Sequence, residues 1–181
     1  MSTDHLKAAL QSKIAAIQSK RAVARLVFRA HTRLEQGVRC SASVRDFAAI
    51  AVDEPPDLGG EDTAMNPVEL LLVALGTCQE IVYAAYAAVL GIPLESVSVD
   101  VKGYLDLRGL LSMDESVPAG YERITFDTQI RSPADAEAVE QLVRITEAHC
   151  PLLDTLKRPI DVRGCVSLNG RRLAPSLPVA A

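Results

Sequence analysis

The sequence predicts an α+β domain. Three observations lead there: a long apolar helix signature beginning at Asn66, two alternating strand runs after it, and an overall order of helix, strands, long helix, strands, helix, strand. The chain has 181 residues, 49% of them hydrophobic, which suffices for one domain with its own core.

Residues 3–20 open with Thr3 or Asp4 as caps, and Leu6, Leu10, Ile14 and Ile17 recur at helical spacing. This amphipathic helix either packs on its own domain or serves as an arm for a partner chain. From Ala24 the text becomes β-branched and partly alternating. "ARLVFRAHTRL" and "RCSASVRDFAAIAV" predict two or three antiparallel strands, with "EQG" as a turn. "DEPPDLGGEDTAMN" is acidic, with two prolines and two glycines, and reads as a long functional or mobile loop.

The segment "NPVELLLVALGTCQE" starts the long helix. Asn66 is a good N-cap, Pro67 suits the first helical position, and Glu69 stands where a capping-box acid belongs. The helix should run to about Leu90, ended by Gly91-Ile92-Pro93. Gly76 in its interior predicts close approach of another backbone, or a break beside Cys78. "SVSVDVKGYLDL" and "ERITFDTQI" are the clearest strands, joined by "GLLSMDESVPAGY" as a hairpin loop. "SPADAEAVEQLVRITEAH" predicts a helix with Ser132 as cap and Pro133 at its first position. "PLLDTLKR" is a short helix, "IDVRGCVSLNG" a strand closing the sheet, and "APSLPVAA" a frayed tail.

Composition narrows the function. The net charge of −4 is dispersed, which argues against a nucleic-acid partner. The absence of Trp and the few Phe and Tyr argue against a base-stacking surface. The longest apolar run, Val68 to Ile92, is interrupted by Glu69, Gln79 and Glu80, so a core helix is expected rather than a membrane partner. "MSTDHLKAALQSK" builds no apolar export core, and a cytoplasmic location is expected. In such a reducing compartment Cys40, Cys78, Cys150 and Cys165 are inert core residues or reactive thiols rather than structural disulfides.

Cys78 lies in an apolar helix. Burial alone would raise its pKa and leave it inert; a nearby cation, best an arginine, would make it a thiolate. Cys150 precedes Pro151, which makes it a helix N-cap, with free backbone N–H groups facing its sulfur. Cys40 and Cys165 sit in strand-like text and read as core or sheet residues. Glu69 is explained as a capping acid. It stands nine residues before Cys78, ~13.5 Å along the axis and on the opposite helix face. Glu69 should therefore not touch Cys78 of its own chain, which leaves it free to serve a neighbouring subunit or to hold an arginine at the mouth of the site.

"VDEPPDLGGEDTAMNPVELLLVALGTCQEI" followed far downstream by "HCPLLDTLKRPIDV" resembles the OsmC/Ohr family of osmotically induced and organic-hydroperoxide-resistance proteins. The likeness covers about residues 24–170. It implies an N-terminal helical extension over 1–23, an OsmC-like domain over 24–170 and a flexible tail over 171–181. The implied fold is antiparallel sheets around a long central helix, in an intertwined homodimer with active sites at the interface. The implied activity is a thiol peroxidase reducing organic hydroperoxides, with Cys78 peroxidatic and Cys150 resolving. An external dithiol reductant restores both, with no bound cofactor or metal. Family peroxidases stabilise the thiolate with an arginine from the N-terminal sheet region or the loop that follows it, for which Arg45 is the first choice and Arg39 the second. Leu71, Leu75 and Val82 should line the pocket. Two departures stand out. Val68 occupies the position after proline where the peroxidases carry glutamate, the acid falling at Glu69, and the DEPP loop has no arginine. These features resemble the OsmC-like subgroup of unassigned function, and leave open a non-enzymatic protein that binds a small molecule or acyl ligand or responds to redox state.

Overall fold

A computed structural model describes residues 3–173. Helix α1 (Thr3–Ser19) is followed by a 3-10 turn, Arg21–Ala24. Strands β1 (His31–Gln36), β2 (Arg39–Ser43) and β3 (Ile50–Val52) form an antiparallel sheet in that order. The expected strand before His31 does not pair: residues 25–30 run outside any ladder, with Phe28 85% exposed. Alternating apolar text predicts a strand only when a neighbour supplies hydrogen bonds, and here no described neighbour does.

Helix α2 (Pro67–Leu90) forms as its ends dictate. The Asn66 side chain accepts the Glu69 N–H at 2.9 Å, and the Glu69 carboxylate accepts the Asn66 N–H at 2.9 Å. Gly91, at φ 72°, terminates it in the left-handed region that other residues resist. The helix is unbroken at Gly76. A Cβ there would lie 3.3 Å from Val101 Cγ2 and 3.5 Å from the Val99 carbonyl, so the glycine lets the helix approach the next strand. Its length and apolarity would also suffice to span a bilayer, but it packs here on its own domain.

That next strand is β4 (Ser96–Leu105). A short helix α3 (Leu107–Leu110) interrupts the predicted hairpin loop, and β5 (Tyr121–Arg131) returns antiparallel, with Val99 opposite Thr128 and Val101 opposite Phe126. Exposure alternates along β4 at every residue, as a half-buried strand requires. Asp106 caps α3 and holds the Arg108 guanidinium through both carboxylate oxygens.

Helix α4 (Ala136–His149) is capped by Asp135, whose side chain accepts the Ala138 N–H at 2.8 Å. The expected cap, Ser132, instead donates its hydroxyl to the Pro93 carbonyl and accepts the Ala134 N–H, tying the entry of α4 to the exit of α2. Helix α5 (Pro151–Lys157) follows directly. Strands β6 (Ser167–Leu168) and β7 (Arg171–Arg172) pair only with each other. The predicted closing strand at 160–170 therefore does not join the main sheet; the turn at Asn169-Gly170 folds it into a local hairpin. Arg171 and Arg172, assigned to the tail, belong to that hairpin, and the rest of the tail, from 174, lies outside the described residues.

The core lies between α2, α4, α5 and the inner face of β4–β5. One cluster joins Tyr83, Ala87, Ile92 and Leu142; a second joins Leu75, Cys150 and Leu153. The sequence expectation of antiparallel strands and helices in an α+β arrangement holds in this chain.

Candidate active site

Two residues 72 positions apart meet in the second cluster. The Cys150 and Cys78 sulfurs stand 3.6 Å apart. Cys78 comes from the middle of α2, and Cys150 from the junction where α4 ends and α5 begins. Cys150 is fully buried and Cys78 partly so, and both are free thiols. Leu75, Leu153, Val101, Ile124 and Phe126 surround the pair. A disulfide requires about 2.05 Å between sulfurs. This separation is a contact of two reduced thiols that need move only a little to bond.

Burial pushes the Cys78 thiol up. The Leu152 backbone N–H acts against that, and the neighbouring Cys150 adds to it. Sequence reasoning placed Cys150 as N-cap of a short helix, and it is, with φ −71° and ψ 115°. Its own side chain makes no capping bond. The free amide at the start of α5 favours the thiolate of Cys78 instead, a role for Leu152 that no sequence signal announces.

Among the described residues no cation acts on the Cys78 thiol. Arg45 sits in the turn between β2 and β3 at φ 52°, its guanidinium 4.6 Å from the Phe47 ring centroid. Arg39 pairs with Gln36 at the start of β2. Neither is among the influences on Cys78. Glu69 stays at the mouth of α2 and closes its cap. Its charge, after burial, raises the Tyr121 hydroxyl, which itself donates to the Val68 carbonyl at 3.0 Å.

A cavity of about 390 Å³ is lined by Leu71, Leu75, Phe126 and Leu153 together with the charged Glu122, Arg123 and Lys157. Leu75 and Leu153 belong both to this lining and to the cluster that holds the sulfurs. The expected wall residues Leu71 and Leu75 are there. Val82 is not: it lines a separate cleft with Leu10, Ile14, Tyr86 and His149.

The loop before α2 has a centre that the sequence did not reveal. Asp53 accepts the Thr63 hydroxyl at 2.8 Å and the backbone N–H groups of Thr63, Glu54 and Glu61. These bonds, the Thr63 hydroxyl foremost, lower its pKa to about 2. Glu54 in turn accepts the Asn66 amide at 3.4 Å, connecting this clasp to the cap of the cysteine helix.

A family profile described as OsmC-like protein matches residues 59–163, more than half the chain and both cysteines. The chain belongs to the OsmC/Ohr-like family. Solved structures agree on the fold. An OsmC-like protein from Mycoplasma pneumoniae superposes with a TM-score of 0.63 at 18% identity, over 73% of this chain and 88% of that one. An OsmC-like protein of unknown function from Vibrio cholerae gives 0.60 at 12%, over 72% and 94%. An organic hydroperoxide resistance protein OsmC from Legionella pneumophila gives 0.56 at 21%, over 74% and 92%. No curated protein matches the chain by sequence. Proteins described as organic hydroperoxide resistance proteins are among the solved structures that share this fold.

Proposed function

We propose that this OsmC-like protein is a homodimeric, cytoplasmic thiol peroxidase that reduces organic hydroperoxides through Cys78 and Cys150. The observation that carries the reading is the 3.6 Å separation of the two sulfurs inside one apolar cluster. The Cys78 thiolate attacks the outer peroxide oxygen of ROOH, the S–O bond forms as the O–O bond breaks, and the leaving RO⁻ takes a proton from solvent to become ROH. Cys78 is then a sulfenic acid. The Cys150 thiol displaces its hydroxyl as water, giving a Cys78–Cys150 disulfide, which an external dithiol reduces. The balance needs no metal and no bound cofactor.

The first step needs a thiolate at a site whose burial disfavours it. Among the described residues the Leu152 amide is the counterweight. We assign the missing cation to a second copy, as Arg45 on its exposed β2–β3 turn, with Glu69 at the mouth of the site to hold the guanidinium. The cavity beside Leu75 and Leu153 favours an alkyl or aryl peroxide over hydrogen peroxide.

The test is turnover of cumene hydroperoxide with a dithiol reductant. Cys78→Ser abolishes consumption, and Cys150→Ser permits at most one turnover. Reduced wild-type protein that leaves the hydroperoxide untouched would refute the activity. One observation favours a second reading, a non-enzymatic ligand-binding protein: the raised Cys78 thiol. Titrating Cys78 with a thiol reagent across pH separates the two. A pKa at or above about 8.5 marks the binding protein, and a depressed one the peroxidase.

A further inference from the structure

Between the two apolar clusters lies a polar layer with no partners. On α2, Leu75, Gln79 and Tyr83 recur every fourth residue, and all are buried. On α4 and its junction with α5, Leu142, Thr146 and Cys150 recur in the same way, and each is fully buried. Tyr83 shares a cluster with Leu142, and Leu75 shares the other with Cys150. The helices therefore run in opposite directions across this contact, and the middle level sets Gln79 against Thr146. At that level, among the described residues, both amide atoms of Gln79 and the hydroxyl of Thr146 lack a hydrogen-bond partner, as does the hydroxyl of Thr128, which stands on β5 between Phe126 of one cluster and Ile130 of the other.

A glutamine amide and a threonine hydroxyl are complementary, since each offers a donor and an acceptor. Left apart in an apolar core they are costly; joined, they fix one axial register of two helices. Cys150 is the next residue along the same face, one helical turn beyond Thr146. Its sulfur must advance from 3.6 Å to bonding distance for the disulfide to form. Resting on the redox-pair reading above, we propose that Gln79 and Thr146 form a polar key that positions the resolving thiol. The key is open in the dithiol state and closes by a mutual hydrogen bond as α4 carries Cys150 onto Cys78.

Both residues act through Cys150 and touch no substrate, so the peroxide step is indifferent to them. The test uses full-length protein and diamide, an azo oxidant that takes up the two thiol hydrogens without any peroxide chemistry. Thr146→Val and Gln79→Leu each slow Cys78–Cys150 disulfide formation by about tenfold, the weight of one buried hydrogen bond. The double variant is no slower than the slower single one, and Thr146→Ser keeps the wild-type rate. Cys78 sulfenic acid formation, trapped in a Cys150→Ser background with cumene hydroperoxide, stays within about twofold in the variants. The thermal midpoint of the dithiol forms does not fall, because unpartnered polar atoms are removed rather than bonds. Wild-type diamide rates in both single variants, losses that multiply in the double variant, or Thr146→Ser as slow as Thr146→Val would overturn the key. A protein inert to the hydroperoxide that still shows the diamide pattern retains the key and loses the peroxidase.

Discussion

Leu142 on α4 is fully buried within one chain, whereas Leu34 on β1 keeps 64% of its surface open. The contrast extends to their surroundings. The layer of α2, α4 and α5 over β4–β5 encloses two apolar clusters and the thiol pair. In the sheet β1–β3, every residue of β1 is exposed, and Phe47 and Ile50 point largely into solvent. One half finishes its core alone; the other displays apolar side chains as if for another surface, which is what an exposed apolar patch commonly means. In the proposed homodimer that surface is a second copy. The same sheet carries Arg45, so the half without a core would also be the half that lends a charge.

Substitutions on the two sides should behave differently. The largest loss is expected in the closed half. Leu142→Ala leaves a cavity between α2 and α4 and should cost about 2–5 kcal/mol in urea unfolding. Asn66→Ala, at the boundary between the halves, removes the cap of the cysteine helix and should cost about 1 kcal/mol. Leu34→Ala should cost less than about 0.5 kcal/mol under conditions that keep the chain monomeric. In sedimentation at higher concentration it should weaken self-association. If Leu34→Ala unfolds the monomer as severely as Leu142→Ala, the division into a closed and an open half is wrong.

The Asp53 clasp sharpens the comparison, since it joins the end of β3 to the cap of α2. Its pKa falls from 3.8 to about 2 in the fold. A carboxyl lowered on folding contributes stability that is present above its unfolded pKa and is lost as pH falls towards the folded one. Wild-type unfolding midpoints should therefore decline between pH 4 and pH 2 more steeply than those of Asp53→Asn. Equal slopes would remove Asp53 as the anchor of the loop.

The sequence was most legible where structure is local. The capping box at Asn66 and Glu69, the stop at Gly91 and the alternation of β4 and β5 depend on neighbours within a few residues. Legibility failed where a remote partner decides. Residues 25–30 have the text of a strand and no described strand beside them, and residues 160–166 join no ladder. Ser132 and Asp135 were both sound caps by type; a carbonyl at Pro93, far back in the chain, claimed the serine. Cys150 was readable as an N-cap beside Pro151. Nothing in its sequence said that the amide of Leu152 would act on Cys78. Arg45 carries a charge in strand-like text, and no local signal says what that charge faces.

The account rests on the two thiols acting as one redox unit. The most direct measurement is peptide mass spectrometry of reduced protein treated with one equivalent of cumene hydroperoxide. A Cys78–Cys150 cross-link, with loss of both thiol hydrogens and stoichiometric conversion to the alcohol, is the predicted result. Intact hydroperoxide with both cysteines still open to alkylation would contradict it.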